Sequence, residues 1–384
     1  MLDGVNVALG VSGSIAAVKT VELAHELRRQ GAEVRAVMTE AAQGIIHPWA
    51  LEFATENSVV TEITGSVEHV ELCGYDGWAD VLLLAPSTAN TIGKVAGAVD
   101  DTPVTTCATT ALGAGMPVVV APAMHAPMYD HPGVLDAIET LEDWGVEFVD
   151  PRLEEGKAKI AEEEAIVLDV ARVVGDRPLD DEHVVITSGP TSESIDPVRV
   201  LSNRASGRTG RAIGKACYVR GAEVTLVHDG LEVPYADVVA VESAAEMLEG
   251  VRSVADDADA LVSAAAISDY TVETAPEKLR SGQDLSLDLE PTPKLIDSIR
   301  EEYPDLPIVG FKVETGGDDE AMVEQARETL ARADLAFVVA NDASVMGAET
   351  TRVLLVRAGT TEEHEGTKTE IGGHVADALA EELA

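Results

Sequence analysis

Apolar residues in this chain fall in short continuous runs rather than in single alternation with polar ones. Residues 5–11, 81–85, 117–121, 184–187, 261–266, 308–311 and 336–340 are such runs, and helical spacing fills the stretches between them. An uninterrupted run marks a strand covered on both faces, as in a parallel sheet with helices on either side. The pattern opens twice in the same way. The run at 5–11 leads into Gly10-Val-Ser-Gly-Ser14, an Ala-rich helical stretch to Gln30 and a second strand in Gly31-Ala-Glu-Val-Arg-Ala-Val-Met38. The run at 184–187 leads through a Gly/Ser/Thr-rich loop and a helical stretch around 210–220 to Gly221-Ala-Glu-Val-Thr-Leu-Val227. In both, Gly ends a helix and Ala-Glu-Val opens a buried strand. The expected fold class is α/β throughout. The polar stretch Gly175-Asp-Arg-Pro-Leu-Asp-Asp-Glu182 divides the chain into domains 1–178 and 179–384.

Length agrees with that division, since 384 residues at roughly 100–200 per domain predict two or three cores. The charge is extreme: 27 Lys and Arg against 69 Asp and Glu leave a formal −42. Such a surface excludes a nucleic-acid partner, which would need clustered cations. No apolar run approaches the roughly 20 residues of a membrane span. Cys73, Cys107 and Cys217 have neither metal-ligand spacing nor a disulfide framework. These features predict a reduced, cytoplasmic protein with small-molecule partners. The acids are spread along the whole chain and Lys is scarce, a composition that resembles proteins of salt-accumulating, halophilic cells, where screening makes self-repulsion tolerable.

Ligands of open α/β sheets bind at strand carboxyl ends, so the segments that follow the strands carry the chemistry. In the first half these are Gly10-Val-Ser-Gly-Ser-Ile-Ala16, Ala85-Pro-Ser-Thr-Ala-Asn-Thr91 and Ala121-Pro-Ala-Met-His-Ala-Pro-Met-Tyr129, with His69 in Val-Glu-His-Val-Glu-Leu read as a fourth. Small residues at the first turn free N–H groups and hydroxyls for a phosphate. The turn is not Gly-x-Gly-x-x-Gly, so the dinucleotide fingerprint fails. Together, in this order and spacing, the segments resemble the flavin-dependent phosphopantothenoylcysteine decarboxylases over about residues 4–150. The resemblance implies a flavodoxin-like, doubly wound parallel sheet that binds FMN, with trimeric contacts completing the site. It implies that Gly13, Ser14, Ile15 and Thr39 surround the phosphate and that Ser87, Thr88 and Asn90 line the ribityl or ring side. His69 matches the active-site His, for proton transfer or carboxylate positioning. His125 and Met128 fall on the substrate motif. Two departures stand out. His125 replaces the family's carboxylate-holding Asn, which imidazole can still imitate as a donor. The flap Arg152-Leu-Glu-Glu-Gly-Lys-Ala-Lys-Ile160 lacks the Cys that bacterial members use as acid, leaving either Lys157 or Lys159 as its replacement or a flap that only covers the site.

In the second half, Arg199, Arg204, Arg208 and Arg211 gather around a Ser/Asn/Gly turn that leads into a helix, an arrangement suited to an anion. Asp-Pro-Val-Arg199, Ser-Asn203-Arg-Ala-Ser206-Gly207, Ser263-Ala-Ala265-Ala-Ile-Ser-Asp269, Ala-Pro-Glu-Lys278, Pro-Thr-Pro293, Gly-Phe311-Lys and Ala340-Asn-Asp342 together resemble phosphopantothenate–cysteine ligase over about residues 183–382. The resemblance implies a second, Rossmann-like domain that uses CTP and Mg²⁺ to form an acyl-cytidylate of 4'-phosphopantothenate, which cysteine then attacks. Asn203 matches the residue of the acyl-cytidylate step and Lys278 the one assisting nucleotide activation. Arg199, Ser206 and Gly207 match substrate positions; Ala265, Asp269, Pro293 and Phe311 match nucleotide positions, with Asp269 also the candidate metal ligand. The helix near 324–332, where the family carries triphosphate-binding lysines, offers only Arg327 and Arg332.

Both halves in this order resemble the bifunctional enzymes of coenzyme A biosynthesis. Trimers of the first half and dimers of the second would combine in a homo-oligomer as large as a dodecamer. A flavin prenyltransferase-like protein and a ligase whose flavodoxin-like half is regulatory are the alternative readings.

Overall fold

The computed structural model describes residues 1–280, 282, 284–314, 319–342 and 350–384. The chain forms two compact units, Met1–Gly175 and Asp176–Ala384. No helix among the described residues is long and apolar enough to cross a membrane.

The strands of the first unit are β1 (Asn6–Val11), β2 (Glu33–Met38), β3 (Val81–Ser87), β4 (Val118–Pro122), β5 (Met124–His125), β6 (Glu147–Phe148), β7 (Arg152–Glu154) and β8 (Lys157–Lys159). Five form a parallel sheet in the order β2-β1-β3-β4-β6. All of β3 and β4 is buried, as their unbroken apolar runs require. The helix Thr20–Arg29 turns Leu23, Ala24 and Leu27 to the core and ends in Arg28 and Arg29, cations that favour a helix C-terminus. The remaining three strands make a small antiparallel sheet, β5-β8-β7.

The second unit contains β9 (His183–Thr187), β10 (Ser192–Asp196), β11 (Arg199–Ser202), β12 (Glu223–His228), β13 (Asp237–Ala240), β14 (Ala260–Ser263), β15 (Tyr270–Val272), β16 (Leu289–Pro291), β17 (Ile308–Glu314), β18 (Phe337–Asp342), β19 (Thr350–Val356) and β20 (Thr361–Thr367). Its main sheet runs β13-β12-β9-β14-β17-β18-β19-β20. It is parallel through β18 and antiparallel in the last two strands. β20 and the hairpins β10–β11 and β15–β16 carry no continuous apolar run, whereas β19 holds the short buried run Val353–Val356 and the edge strand β13 holds Val238–Ala240. β20 reads Thr-Glu-Glu-His-Glu-Gly-Thr and is largely exposed at a sheet edge, where acidic side chains discourage pairing with another chain. The helices Arg208–Val219 and Lys368–Leu383 pack together on one face of the sheet, burying Ile213, Cys217, Ile371, Val375 and Leu379 in its core.

All three cysteines are buried and free. Burial pushes the Cys217 thiol up to about 12, and the Cys107 hydrogen bond, followed by burial, pushes Cys73 up as well. Neither is a thiolate at neutral pH.

Candidate active sites

In the first sheet the chain steps from β1 out to β2 and then back across β1 to β3. That reversal opens a crevice at the carboxyl ends of β1 and β3. A cavity of about 590 Å³ lies there, within the range of small-molecule sites. Gly13, Ser14 and Ile15 wall it after β1, Thr88 after β3, and Met124, His125 and Met128 after β4. The hydroxyl of Ser12 donates to the carbonyl of Pro86 at 2.7 Å, tying the first two walls together. Ser14 caps the short helix Ile15–Lys19 and accepts from the N–H of Ala16 at 3.3 Å. Thr88 caps the helix Ala89–Ala96 and accepts from Thr91 N–H at 3.2 Å. Thr39 lies behind the wall, capping Glu40–Gln43. That helix comes so close that a Cβ on Gly13 would stand 2.5 Å from the Cβ of Ala41. Ser87 is wholly buried and its hydroxyl has no partner. Asn90 is exposed in the first turn of its helix and lies off the cavity wall.

The strand β5 pairs with β8, setting His125 opposite Lys157 and Met124 opposite Ala158. The flap and the substrate motif are therefore one ladder. Within the flap, Lys159 pairs with Glu154 and Glu155, each at 3.0 Å, and these carboxylates push its amine up. Lys157 forms no ion pair among the described residues. His69 departs from the expected strand end: it sits in the helix Glu68–Cys73 and does not line this cavity. The turn forms because Glu68 accepts from the backbone N–H of Thr64 at 2.8 Å and from its hydroxyl. The Nδ1 of His69 is enclosed without a partner.

In the second unit a cavity of about 410 Å³ opens over the carboxyl ends of β14, β17 and β18, beside the start of the helix Arg208–Val219. It brings together six residues singled out in the sequence, Arg204, Ser206, Gly207, Arg208, Ala265 and Phe311. Gly207 precedes that helix at φ 66, the left-handed region open to glycine. Sequence reasoning missed Asn341, Thr351 and Lys368, which also wall it. Asn341 stands in the quoted Ala340-Asn-Asp segment, whereas Thr351 lies in β19 ahead of its apolar run and Lys368 follows the polar edge strand β20. Thr351 is 6% exposed with an unpartnered hydroxyl, and the Oδ1 of Asn341 is buried and unpartnered. Both orphaned atoms are open to a ligand.

Other candidates lie off this wall. Asn203 donates to the carbonyl of Ala266, a wall residue, at 2.9 Å. Lys278 and Pro293 are exposed. Arg199 is not directed at an anion: its guanidinium grips the Asp196 carboxylate and donates to the carbonyl of Leu279 at 2.6 Å. The Asp196 carboxylate also accepts from the N–H of Leu279 at 3.0 Å, so the pair clamps the segment bearing Lys278 to the hairpin β10–β11. Burial would push the Asp196 carboxyl up. The Arg199 guanidinium and the N–H groups of Leu279, Val198 and Arg199 outweigh it and hold the group well below the usual carboxylate range. Asp269 is paired with Lys294 at 2.5 Å, and no group of three or more His, Cys, Asp or Glu suited to a metal occurs among the described residues. These residues do not fit a resident Mg²⁺.

Family models match both units: one described as flavoprotein over residues 1–175 and one described as DNA/pantothenate metabolism flavoprotein C-terminal domain over residues 179–383. The coenzyme A biosynthesis bifunctional protein CoaBC of Thermococcus kodakarensis is 50% identical over 361 residues, covering 92% of this chain and 89% of the relative. Its namesake from Methanocaldococcus jannaschii is 36% identical over 383 residues, covering 98% and 94%. The chain belongs to the CoaBC family. A crystal structure of the C-terminal domain of a CoaBC protein is 29% identical, with a TM-score of 0.47, and covers 54% of this chain and 98% of that one. In CoaBC terms the first cavity falls in the flavoprotein half and the second in the pantothenate-metabolism half. The first fits a flavin on its own evidence: a phosphate-compatible turn, the orphaned Ser87 hydroxyl, and Ile15 at 78% exposure on its wall.

Proposed function

We propose that this chain is a bifunctional enzyme of coenzyme A biosynthesis. The second unit ligates 4'-phosphopantothenate to cysteine through an acyl-cytidylate, and the first decarboxylates 4'-phosphopantothenoylcysteine to 4'-phosphopantetheine with FMN. The observation that carries this reading is one chain holding both CoaBC domains in order, each with a cavity at the carboxyl ends of its parallel strands. The bifunctional relatives speak against a purely regulatory first half.

In the second unit the substrate carboxylate attacks the α-phosphorus of CTP and diphosphate leaves. The cysteine amine then attacks the acyl carbon, and CMP leaves with the bond's electron pair. Ala265, Phe311 and Asn341 hold the nucleoside end; Ser206 and Gly207 hold an anionic group where the helix begins. Asn203 orients the acyl-cytidylate, and Lys278, positioned by the Asp196 clamp, offsets phosphoryl charge. Mg²⁺ arrives with the nucleotide's phosphates rather than in a site of its own.

In the first unit a bound FMN would supply reversible hydride acceptance, the chemistry that makes carboxylate loss easy. Gly13, Ser14, Ile15 and Thr39 would hold its phosphate, and Ser87, Thr88 and Asn90 would hold its ribityl and ring side. His125 donates a hydrogen bond to the substrate carboxylate, and Met128 packs beside it. Of the two flap lysines Lys157 is the acid, because Lys159 is committed to Glu154 and Glu155. His69 lies off the wall of its own cavity, so a neighbouring copy in a trimer supplies it.

Purified protein in molar KCl with 4'-phosphopantothenate, cysteine, CTP and Mg²⁺, followed by mass spectrometry, tests the whole. 4'-Phosphopantetheine and CMP are expected. Phosphopantothenoylcysteine accumulating alone would remove the decarboxylase, and no product would remove both activities.

A further inference from the structure

The helices Arg208–Val219 and Lys368–Leu383 cross so closely that a Cβ on Gly372 would lie 2.7 Å from the backbone of Ala212. This crossing sets Lys368 beside the face of the first helix that carries Arg208, Arg211 and Lys215, three and four residues apart. A further open pocket of about 320 Å³ lies between them, bordered by Thr367 and Thr369. It shares Arg208 and Lys368 with the proposed nucleotide cavity, so the two are adjoining compartments with cations at their common border.

Its charge is the reverse of the protein's. Acids outnumber cations 69 to 27, and most arginines and lysines are gripped by carboxylates. Yet Arg208, Arg211 and Lys368 form no ion pair among the described residues. Arg211 only donates to the carbonyl of Ser206 at 2.9 Å, and the Lys215 ammonium lies over the ring of Tyr235. Glu370, in the first turn beside Lys368, is committed to the N–H and hydroxyl of Thr367. Burial and then the neighbouring Arg208 push the Lys368 amine down. The helix Asp319–Ala333 does not supply this charge: Arg332 is paired with Asp297 and Arg327 reaches Thr361.

We infer that this cationic compartment receives the β- and γ-phosphates of the nucleotide, and that Arg208, Lys215 and Lys368 neutralise the diphosphate as it departs. The bond between the α-phosphorus and its bridging oxygen breaks, the oxygen keeps the electron pair, and the cations stabilise that charge. The inference rests on the ligase reading.

Calorimetric titration of the full chain with CTP, CMP and inorganic diphosphate, each with Mg²⁺, tests it. In Lys368→Gln and in Lys215→Gln, CTP and diphosphate are expected to bind about tenfold more weakly, the scale of one charge-assisted contact. CMP should stay within about twofold, and Lys368→Arg should recover most of the loss. Equal losses for CMP and CTP, or unchanged CTP binding in both variants, would overturn the inference while leaving the ligase reading intact. A parent protein that binds neither CTP nor CMP overturns the ligase reading itself. Lys215 is partly exposed on its helix, so its variant reads the result even where Lys368→Gln fails to fold.

Discussion

Replacing Gly13 by Ala tests the first cavity at its narrowest point. The new Cβ would stand 2.5 Å from the Cβ of Ala41 and 3.2 Å from that residue's carbonyl carbon. Carbon atoms rest at about 3.5–4.0 Å, so the helix Glu40–Gln43 must retreat by about 1 Å. The neighbour is backbone and a methyl group, neither of which can swing aside. Gly13 is not held in the left-handed region, so the cost is steric and falls in the overpacking range of about 1–3 kcal/mol. With a urea slope of about 2 kcal/mol per M, the midpoint falls by about 0.5–1.5 M. All three tryptophans, Trp49, Trp78 and Trp144, lie in the first unit, so their fluorescence follows its unfolding alone. Thr39 moves with the displaced helix, so FMN affinity should drop about tenfold or more. Gly93→Ala is the counter-experiment. A Cβ there meets nothing within 4 Å inside the exposed face of the helix Ala89–Ala96, so stability should rise by about 0.5–1 kcal/mol. Gly13→Ala with the parent's midpoint and flavin affinity would refute the close approach on which the argument rests.

Asp196→Asn should slow ligation severalfold, read by CMP release, while decarboxylation of supplied phosphopantothenoylcysteine is unchanged. Its carboxyl is depressed in the folded state, so its contribution to stability is complete above the ordinary carboxylate range and fades as pH falls toward the lowered value; acid titration of the second unit's stability should be shallower in the variant. Asn203→Ala should abolish net ligation and spare decarboxylation, whereas His69→Gln should do the reverse, both read by mass spectrometry of products. Raising KCl from 0.1 to 2 M should raise the thermal midpoints of a chain carrying −42, and an equally concentrated neutral osmolyte should raise them less.

The elements legible in the sequence are those whose side chains are all enclosed. β3, β4, β9, β14, β17 and β18 announce themselves because both faces are apolar. β20 and the hairpin β10–β11 do not, since their exposed faces mix charge with small residues, and β19 confines its apolar run to Val353–Val356 after the polar Thr350-Thr-Arg352. The same division runs through the sites. Gly13, Ser14 and Thr88 are legible because they follow buried strands, Phe311 because it ends a buried apolar run, and Ser206 because it stands in the Ser/Asn/Gly turn that leads into a helix. Lys368 is not, as it reaches its cavity only through the crossing of two helices far apart in sequence. Arg199 shows the opposite failure: residue type and spacing suggest an anion site, while a buried acid three residues earlier claims it. For His69 the sequence suggests a strand end, and the hydrogen bonds from Thr64 to Glu68 make a helical turn there instead.

Arg208, Arg211 and Lys368 form a positive island in a strongly negative sea, and this bears on how fast a phosphorylated substrate arrives. At low ionic strength the far field reaches tens of ångströms and repels a polyanion long before it can sense the island. In molar salt that field is confined to about 3 Å, and an approaching anion meets only the cations beside it when it reaches the cavity mouth. Association should therefore accelerate with salt and decline only where contact itself is screened, the inverse of the steady fall seen when a basic surface steers its anion. For this chain, concentrated electrolyte is a condition of molecular encounter as well as of folding.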